Sequence, residues 1–138
     1  MAFNRETKLK SSTGATLLVR FREAQGAPRG VVQINHGLAE HSARYARFAD
    51  FLSLRGFHAY AHDHRGHGRS PGRRGTLTSS HDLVDDLAAA IDALGATAPS
   101  PPLLLGHSLG GLVALTYALR HPARIAGLVL SSPALAPG

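Results

Sequence analysis

LLLGHSLGG, residues 103–111, is the segment of this 138-residue chain that most clearly indicates its fold class. Its leucines form the short apolar run of a buried strand. A helix is predicted from about Ser108 to Arg120, and it is apolar nearly all round, as expected for a helix packed deep in a domain. Gly106 and Gly110 flank the turn between the two elements. The stretch therefore predicts a strand, a sharp turn and a helix, with Ser108 at the turn.

The rest of the chain repeats this alternation of strands and helices. Residues 3–9 and 16–21 surround a turn-forming segment and predict an antiparallel hairpin. Apolar runs predict further strands at residues 31–34, 57–61 and 125–130. Helical periodicity predicts helices at residues 42–56 and 82–94. Such alternation implies an α/β fold, with a mostly parallel sheet and helices on both faces.

Single residues mark the ends of the predicted helices. Ser42 is a candidate N-cap of the first helix, and Gly56 is its candidate left-handed C-terminal residue. Asp82, Asp85 and Asp86 are predicted in the first turn of the next helix, where carboxylates favour the helix dipole. Residues 63–81 lack periodicity, and an irregular segment of this length is usually functional or disordered.

The composition is that of one soluble globular domain over residues 1–138. Hydrophobic residues make up 43% of the chain and charged residues 17%. There is no apolar run long enough for a transmembrane segment, and the first residues lack the order of a signal peptide. The absence of cysteine excludes disulfides and thiolate metal sites and fits a cytoplasmic location.

The formal net charge of +6 raises the question of a nucleic-acid partner. The basic residues are nearly all arginines scattered along the chain, and aromatic residues make up only 6% of it, so we expect no nucleic-acid binding. The charge supports at most a weak attraction for anionic substrates or surfaces, which includes transient contact with a membrane surface.

Ser108 is the strongest candidate for a catalytic residue. GHSLG, residues 106–110, matches the G-x-S-x-G nucleophile elbow, in which a strained turn lifts the serine hydroxyl above the sheet at a helix N-terminus. The N–H of Leu109 would then face a developing oxyanion, and the N–H of Leu38, in the loop after an earlier strand, is the candidate second donor. The alternative is a glycine-rich packing turn with an idle serine, together with an ordinary glycine turn at Leu38.

Nine histidines, several of them at residues 58–67, raise the alternative of a metal site. Their spacing lacks the i, i+4 helical pair of zinc proteases and the second acid of a dinuclear site. We therefore expect no bound metal, and instead a loop braced by hydrogen bonds from imidazoles and Asp63. We also expect His36 to brace its loop rather than to carry a proton.

Three ordered blocks resemble one known family. HGLAEHSARY, residues 36–45, resembles the H-G-x-x-E-H-x-x-R-Y stretch of the monoacylglycerol lipase and lysophospholipase branch of α/β-hydrolases. HDHRGHGRS, residues 62–70, is similar to its D-H-x-G-H-G-x-S loop, and GHSLGG, residues 106–111, is similar to its elbow. The resemblance covers about residues 30–135. It implies an α/β-hydrolase core without a cofactor, and substrates that are acyl esters such as monoacylglycerol or lysophospholipid.

By the same resemblance, Ser108 is the nucleophile, and the backbone N–H groups of Leu38 and Leu109 form the oxyanion hole. A serine hydrolase of this fold also needs an acid and a histidine base later in the chain. No Asp or Glu follows Ser108, and the only later histidine, His121, lies about 20 Å away along the same helix.

We therefore expect residues 1–138 to be the N-terminal part of a single α/β-hydrolase domain, truncated after the strand that follows the nucleophile helix. The lid, the remaining strands, the acid and the base would then be absent, and the chain would be inactive alone. The alternatives are a non-catalytic binding or interaction fragment of the same fold, and another α/β-hydrolase chemistry, because a fold does not determine a reaction.

Overall fold

The computed structural model describes residues 3–74, 79–95 and 100–135. The strands are β1 Arg5–Lys10, β2 Thr16–Arg22, β3 Gly30–Asn35, β4 Phe57–His62, β5 Leu103–His107 and β6 Gly127–Ser131. The α-helices are α1 Ala46–Leu54, α2 Ser80–Gly95 and α3 Leu109–Arg120, and short 3₁₀ turns cover Ser42–Tyr45 and Pro122–Arg124. Each predicted strand and helix is present, with ends within a few residues of the expectation.

The strands form one sheet in the order β1-β2-β4-β3-β5-β6. β1 and β2 form the predicted antiparallel hairpin, and β2 also runs antiparallel to β4. From β4 through β3 and β5 to β6 the pairing is parallel, which confirms the predicted mostly parallel sheet. The carboxyl ends of these parallel strands share one edge, so the segments that follow β3, β4 and β5 meet there.

Helices cover both faces of the sheet, as the alternation predicts. On one face α1 packs against the two central strands, and the buried residues of this cluster are Val32, Ile34, Ala49, Leu52, Ala59 and Ala61. On the other face α2 and α3 pack together over β5, and the buried residues of that cluster are Leu83, Val84, Leu87, Ile91, Leu104, Val113, Ala114 and Tyr117. The central strand β3 is buried along its whole length.

The prediction of Ser42 as an N-cap is wrong. His41 is the residue before the 3₁₀ turn, and no side chain caps that turn or the following α1. The Ser42 hydroxyl instead donates to the buried carboxylate of Asp63 at 2.6 Å, because a hydrogen bond to a charged carboxylate is stronger than one between neutral groups. Gly56 follows the prediction, with φ at +87° after α1.

In the described ranges, the structure contains no helix that is both long and apolar enough to cross a membrane.

Candidate active site

Ser108 lies in a strained turn between β5 and α3. Its φ of +54° and ψ of −117° fall outside the regions that L-residues favour. Backbone hydrogen bonds hold the turn in place, and one of them runs from the Ser108 N–H to the carbonyl oxygen of Ser131 in β6, at 3.0 Å. The Ser108 carbonyl oxygen accepts from the N–H groups of Gly111, Leu112 and Ala134. The strained conformation predicted for a nucleophile elbow is therefore present.

The two glycines that flank the serine are required by close backbone approach. A β-carbon on Gly106 would overlap the carbonyl oxygen of Gly110, and a β-carbon on Gly110 would overlap the carbonyl oxygen of Asn35 at the end of β3. Any side chain at either position would force the turn open. The structure thus supports the steric reason for the G-x-S-x-G spacing.

The loop after β3 reaches the serine. A β-carbon on Gly37 would lie 3.3 Å from the Ser108 β-carbon, so the backbone of this loop is in contact with the elbow. The loop is held by the carboxylate of Glu40, which accepts from the Gly37 N–H at 2.6 Å and from the Tyr45 hydroxyl at 2.8 Å. Leu38 follows at once and is 52% exposed. The residue proposed as second oxyanion donor is therefore next to the serine turn.

His36 and His64 connect this loop to the loop after β4. The His36 Nε2 accepts from the His64 N–H at 2.9 Å, and the His64 Nε2 donates to the His36 carbonyl oxygen at 2.8 Å. With its Nε2 acting as acceptor, neutral His36 carries its proton on Nδ1, which donates to the Gly37 carbonyl oxygen at 2.6 Å. Both imidazoles are fully buried. The expectation that His36 braces its loop is confirmed.

Burial keeps these imidazoles neutral. It lowers the pKa of His36 to about 4, and a neighbouring histidine adds to the effect. It lowers the pKa of His64 to about 3 and that of His62 to about 3. At neutral pH these side chains are therefore hydrogen-bonding groups without charge, and they do not provide a cation for an anionic intermediate.

Asp63 organises the second loop. Its carboxylate accepts from the Ser42 N–H at 2.7 Å, from the Ser42 hydroxyl, and from the Arg69 N–H at 2.9 Å. Burial disfavours the charged form, but these hydrogen bonds outweigh it and hold the pKa of Asp63 below its ordinary value. The Ser70 hydroxyl links the Asp63 carbonyl oxygen to β2 through the Leu18 N–H. The predicted bracing by Asp63 is confirmed.

The ion pair between Arg65 and Asp86 was not predicted from the sequence. Two guanidinium nitrogens of Arg65 donate to the two oxygens of Asp86 at 2.8 Å each, and a third lies 3.5 Å from Asp82. Burial opposes ionisation of Asp86, yet the Arg65 guanidinium holds its pKa below the ordinary value. Asp86 therefore anchors the loop after β4 to α2 and is not a solvated carboxylate at the helix dipole.

The two proposed oxyanion amides and the serine hydroxyl have no hydrogen-bond partner within the part of the protein that the structure describes. Within residues 3–74, 79–95 and 100–135, neither the Leu38 N–H nor the Leu109 N–H donates to a protein acceptor. Leu109 is the first residue of α3, so its N–H has no partner inside the helix. Over the same residues no imidazole or carboxylate is hydrogen-bonded to the Ser108 hydroxyl, and α3 places His121 about 20 Å away.

A serine in a strained turn between a parallel strand and a helix, with a glycine loop from the neighbouring strand against it, defines the α/β-hydrolase fold. More narrowly, the chain belongs to the family described as "Serine aminopeptidase, S33", which matches residues 26–138.

Two curated relatives are lipases. The monoglyceride lipase of Homo sapiens is 37% identical over 126 residues, which cover 91% of this chain and 42% of that protein. The monoacylglycerol lipase of Mycolicibacterium smegmatis is 41% identical over 109 residues, which cover 78% of this chain and 39% of that protein. The chain therefore spans about two fifths of the length of these relatives.

A solved structure agrees with the fold. A soluble variant of the monoglyceride lipase of Saccharomyces cerevisiae, in complex with a substrate analogue, matches with a TM-score of 0.81 and 29% identity. The match covers 96% of this chain and 45% of that chain. The predicted α/β-hydrolase fold and family are thus confirmed, and the chain shares its family with ester-cleaving serine hydrolases.

Proposed function

We propose that this chain supplies the nucleophile and the oxyanion hole of a serine carboxylic-ester hydrolase. The observation that carries the proposal is the strained φ of +54° at Ser108, next to the loop that presents Leu38. A residue is held in such a conformation only where the surrounding structure imposes it, and here it places a half-buried serine at a helix N-terminus.

In the proposed mechanism, the Ser108 Oγ attacks the carbonyl carbon of the ester, and the carbonyl oxygen becomes an oxyanion. The N–H groups of Leu38 and Leu109 donate to that oxyanion and lower the barrier. A base takes the hydroxyl proton and passes it to the leaving alcohol, which yields an acyl-serine; water then releases the acid by the reverse sequence.

For the substrate we propose a single-chain lipid ester, either a monoacylglycerol or a lysophospholipid. The names of the two curated relatives as monoglyceride and monoacylglycerol lipases support this class. The chemistry needs no cofactor, because the nucleophile, oxyanion donors and proton carriers are all protein groups. We place the enzyme in the cytoplasm on the same proposal, and the lack of cysteine agrees with it.

We further propose that residues 1–138 form the N-terminal part of a larger hydrolase domain. A groove of about 470 Å³ lies between α1 and the β5–β6 pair, lined by the apolar or aromatic side chains of Tyr45, Phe48 and Leu105 and by four polar or charged residues, Glu40, Arg44, His107 and Ser131. β6 forms an edge of the sheet in the described structure, and its Val129 is 53% exposed. Both surfaces suit coverage by a further segment, which would also carry the acid, the base and the lid.

A chimera tests the substrate and the role of Ser108 together. The chain is joined to the part of the Mycolicibacterium smegmatis lipase outside the matched 39%. We expect the chimera to release fatty acid from monoacylglycerol and Ser108→Ala to abolish that release. The matched control is Ser12→Ala, which removes an exposed hydroxyl in the β1–β2 turn and leaves the rate unchanged. A folded chimera whose rate is the same with and without Ser108 contradicts the proposal and favours a binding fragment.

A further inference from the structure

The outward side of α1 has an unusual composition for an exposed surface. Arg47, Phe51, Leu54 and Arg55 recur at helical spacing on one side of the helix, and all four are exposed. Phe51 is 45% exposed and Leu54 is 58% exposed. We call these four residues the α1 outer face. It combines a cationic border with two large apolar side chains.

The positive charges of this face are not neutralised locally. Within the described ranges, no carboxylate lies within 4.0 Å of Arg47 or Arg55. The only acid of α1, Asp50, is engaged with Arg22 at 3.3 Å. The Arg55 guanidinium instead lies 3.6 Å from the centre of the Phe51 ring, so an exposed cation and an exposed aromatic ring act as one unit.

We propose that the α1 outer face docks on the surface of an anionic phospholipid membrane. Guanidinium groups bind phosphate oxygens through paired donors, while Phe51 and Leu54 are placed to enter the interface between headgroups and acyl chains. The formal net charge of +6 favours approach to such a surface from any orientation. The proposal stands independently of the ester-hydrolase function.

Charge complementarity selects a membrane over a second copy of the chain. A symmetric dimer through this face would set Arg47 and Arg55 of one copy against the same patch of the other, and like charges would face each other across the contact. A fluid anionic surface has no such conflict, because its headgroups can gather around each guanidinium.

A single tryptophan reports directly on docking, because the chain contains none. In Phe51→Trp the probe lies in the proposed contact, whereas in Leu119→Trp, on α3 and 74% exposed in the native chain, it lies elsewhere. With vesicles of phosphatidylcholine and about 30% phosphatidylglycerol, we expect tryptophan emission to shift to the blue in the Phe51→Trp variant and to return in about 0.5 M salt. In the Leu119→Trp variant we expect no shift. Equal shifts in the two variants, or a Phe51→Trp shift of the same size with pure phosphatidylcholine, would overturn the proposal.

Charge-reversal variants distinguish docking through the α1 outer face from the non-specific attraction of a basic chain to anionic vesicles. Arg47→Glu with Arg55→Glu is compared with Lys8→Glu and Lys10→Glu, two exposed residues of β1, so that both variants change the net charge equally. We expect the α1 variant to lose about tenfold or more in vesicle affinity and the β1 variant to lose about twofold or less. Equal losses would contradict docking through α1, as would a stable dimer in sedimentation that the α1 variant dissociates.

Discussion

His36 and His64 exchange two hydrogen bonds, one from the His64 amide to the His36 imidazole at 2.9 Å and one from the His64 imidazole to the His36 carbonyl oxygen at 2.8 Å. The pair joins the loop after β3 to the loop after β4. Since the first loop presents Leu38 beside Ser108, the pair helps to set the position of the proposed oxyanion donor.

Replacing His64 should weaken both the fold and the site. His64→Ala leaves the buried His36 carbonyl oxygen without its imidazole donor, so we expect the free energy of unfolding to fall by about 1–3 kcal/mol. Labelling of Ser108 by a fluorophosphonate should also slow, because the Leu38 loop loses a support. Denaturant titration and mass spectrometry measure the two effects. The control is His41→Ala at an exposed position, which should change the free energy of unfolding by less than about 0.5 kcal/mol. Equal effects of the two substitutions would contradict a role of His64 in supporting the Leu38 loop.

Gly110→Ala tests the close approach of α3 to β3. The added methyl overlaps the Asn35 carbonyl oxygen, so the helix must move, and we expect a loss of about 1–3 kcal/mol or more in stability. Thr116→Ala in the same helix removes only a hydroxyl that donates to the Leu112 carbonyl oxygen, and it should be nearly neutral. Calorimetric melting measures the stability of both variants. A Gly110→Ala variant as stable as the parent chain would show that the turn accommodates a methyl group, which would contradict this close approach.

The buried histidines should make the fold sensitive to mild acid. The pKa is lowered to about 4 for His36 and to about 3 for His62 and His64, so the unfolded chain takes up these protons first. Stability is therefore retained above about pH 6.5 and lost as the pH falls from there toward 4, by up to about 4 kcal/mol per pH unit when three protons are involved.

Urea titrations between pH 7 and pH 5 measure this slope. Replacing the buried His62 with Gln should reduce the slope by about one proton. A free energy of unfolding that stays constant from pH 7 to pH 5 would contradict burial of these imidazoles in the neutral form.

Asp86 and Asp92 provide a matched pair of ion-pair tests on α2. Asp86 is fully buried against Arg65, so Asp86→Asn should cost about 3–5 kcal/mol by removing the charged carboxylate that accepts two hydrogen bonds from the guanidinium. Asp92 pairs with Arg124 at the surface, where both side chains are about half exposed, and Asp92→Asn should cost less than about 1 kcal/mol. Similar costs for the two substitutions would show that the Arg65 pair is not the anchor of its loop.

The sequence predicted those features that depend on local pattern. The strand–turn–helix around Ser108 and the hairpin of β1 and β2 follow from apolar periodicity and glycine placement. The strained conformation of Ser108 was expected because the G-x-S-x-G spacing is a local steric requirement.

Features that depend on distant partners were not predictable in this way. Arg65 and Asp86 lie 21 residues apart on different elements, and nothing in their local sequence shows that they meet. Ser42 was assigned to a helix cap for the same reason, since its acceptor, Asp63, also lies 21 residues along the chain. For the loop beside Ser108, the sequence did contain a signal. The block at residues 36–45, which resembles the hydrolase family, includes Glu40, whose carboxylate holds the Gly37 turn.

The isolated chain should hydrolyse p-nitrophenyl esters close to the background rate. Oxyanion stabilisation without a base leaves a rate enhancement of about 10³ over water, which is difficult to separate from spontaneous cleavage. Spectrophotometric assay of the chain and of Ser108→Ala measures the difference. A turnover of about one per second or faster that depends on Ser108 would show that a histidine of this chain acts as the base.

Covalent labelling of Ser108 tests its assignment as the nucleophile. The chain, or the active chimera, is incubated with a fluorophosphonate, digested, and analysed by mass spectrometry for the modified peptide. We predict a single adduct on Ser108, formed faster in the chimera, absent in Ser108→Ala, and unaffected by Ser12→Ala. A folded chimera that acquires no adduct at Ser108, or one labelled at another serine while Ser108 stays unmodified, would contradict the assignment of Ser108 as the nucleophile.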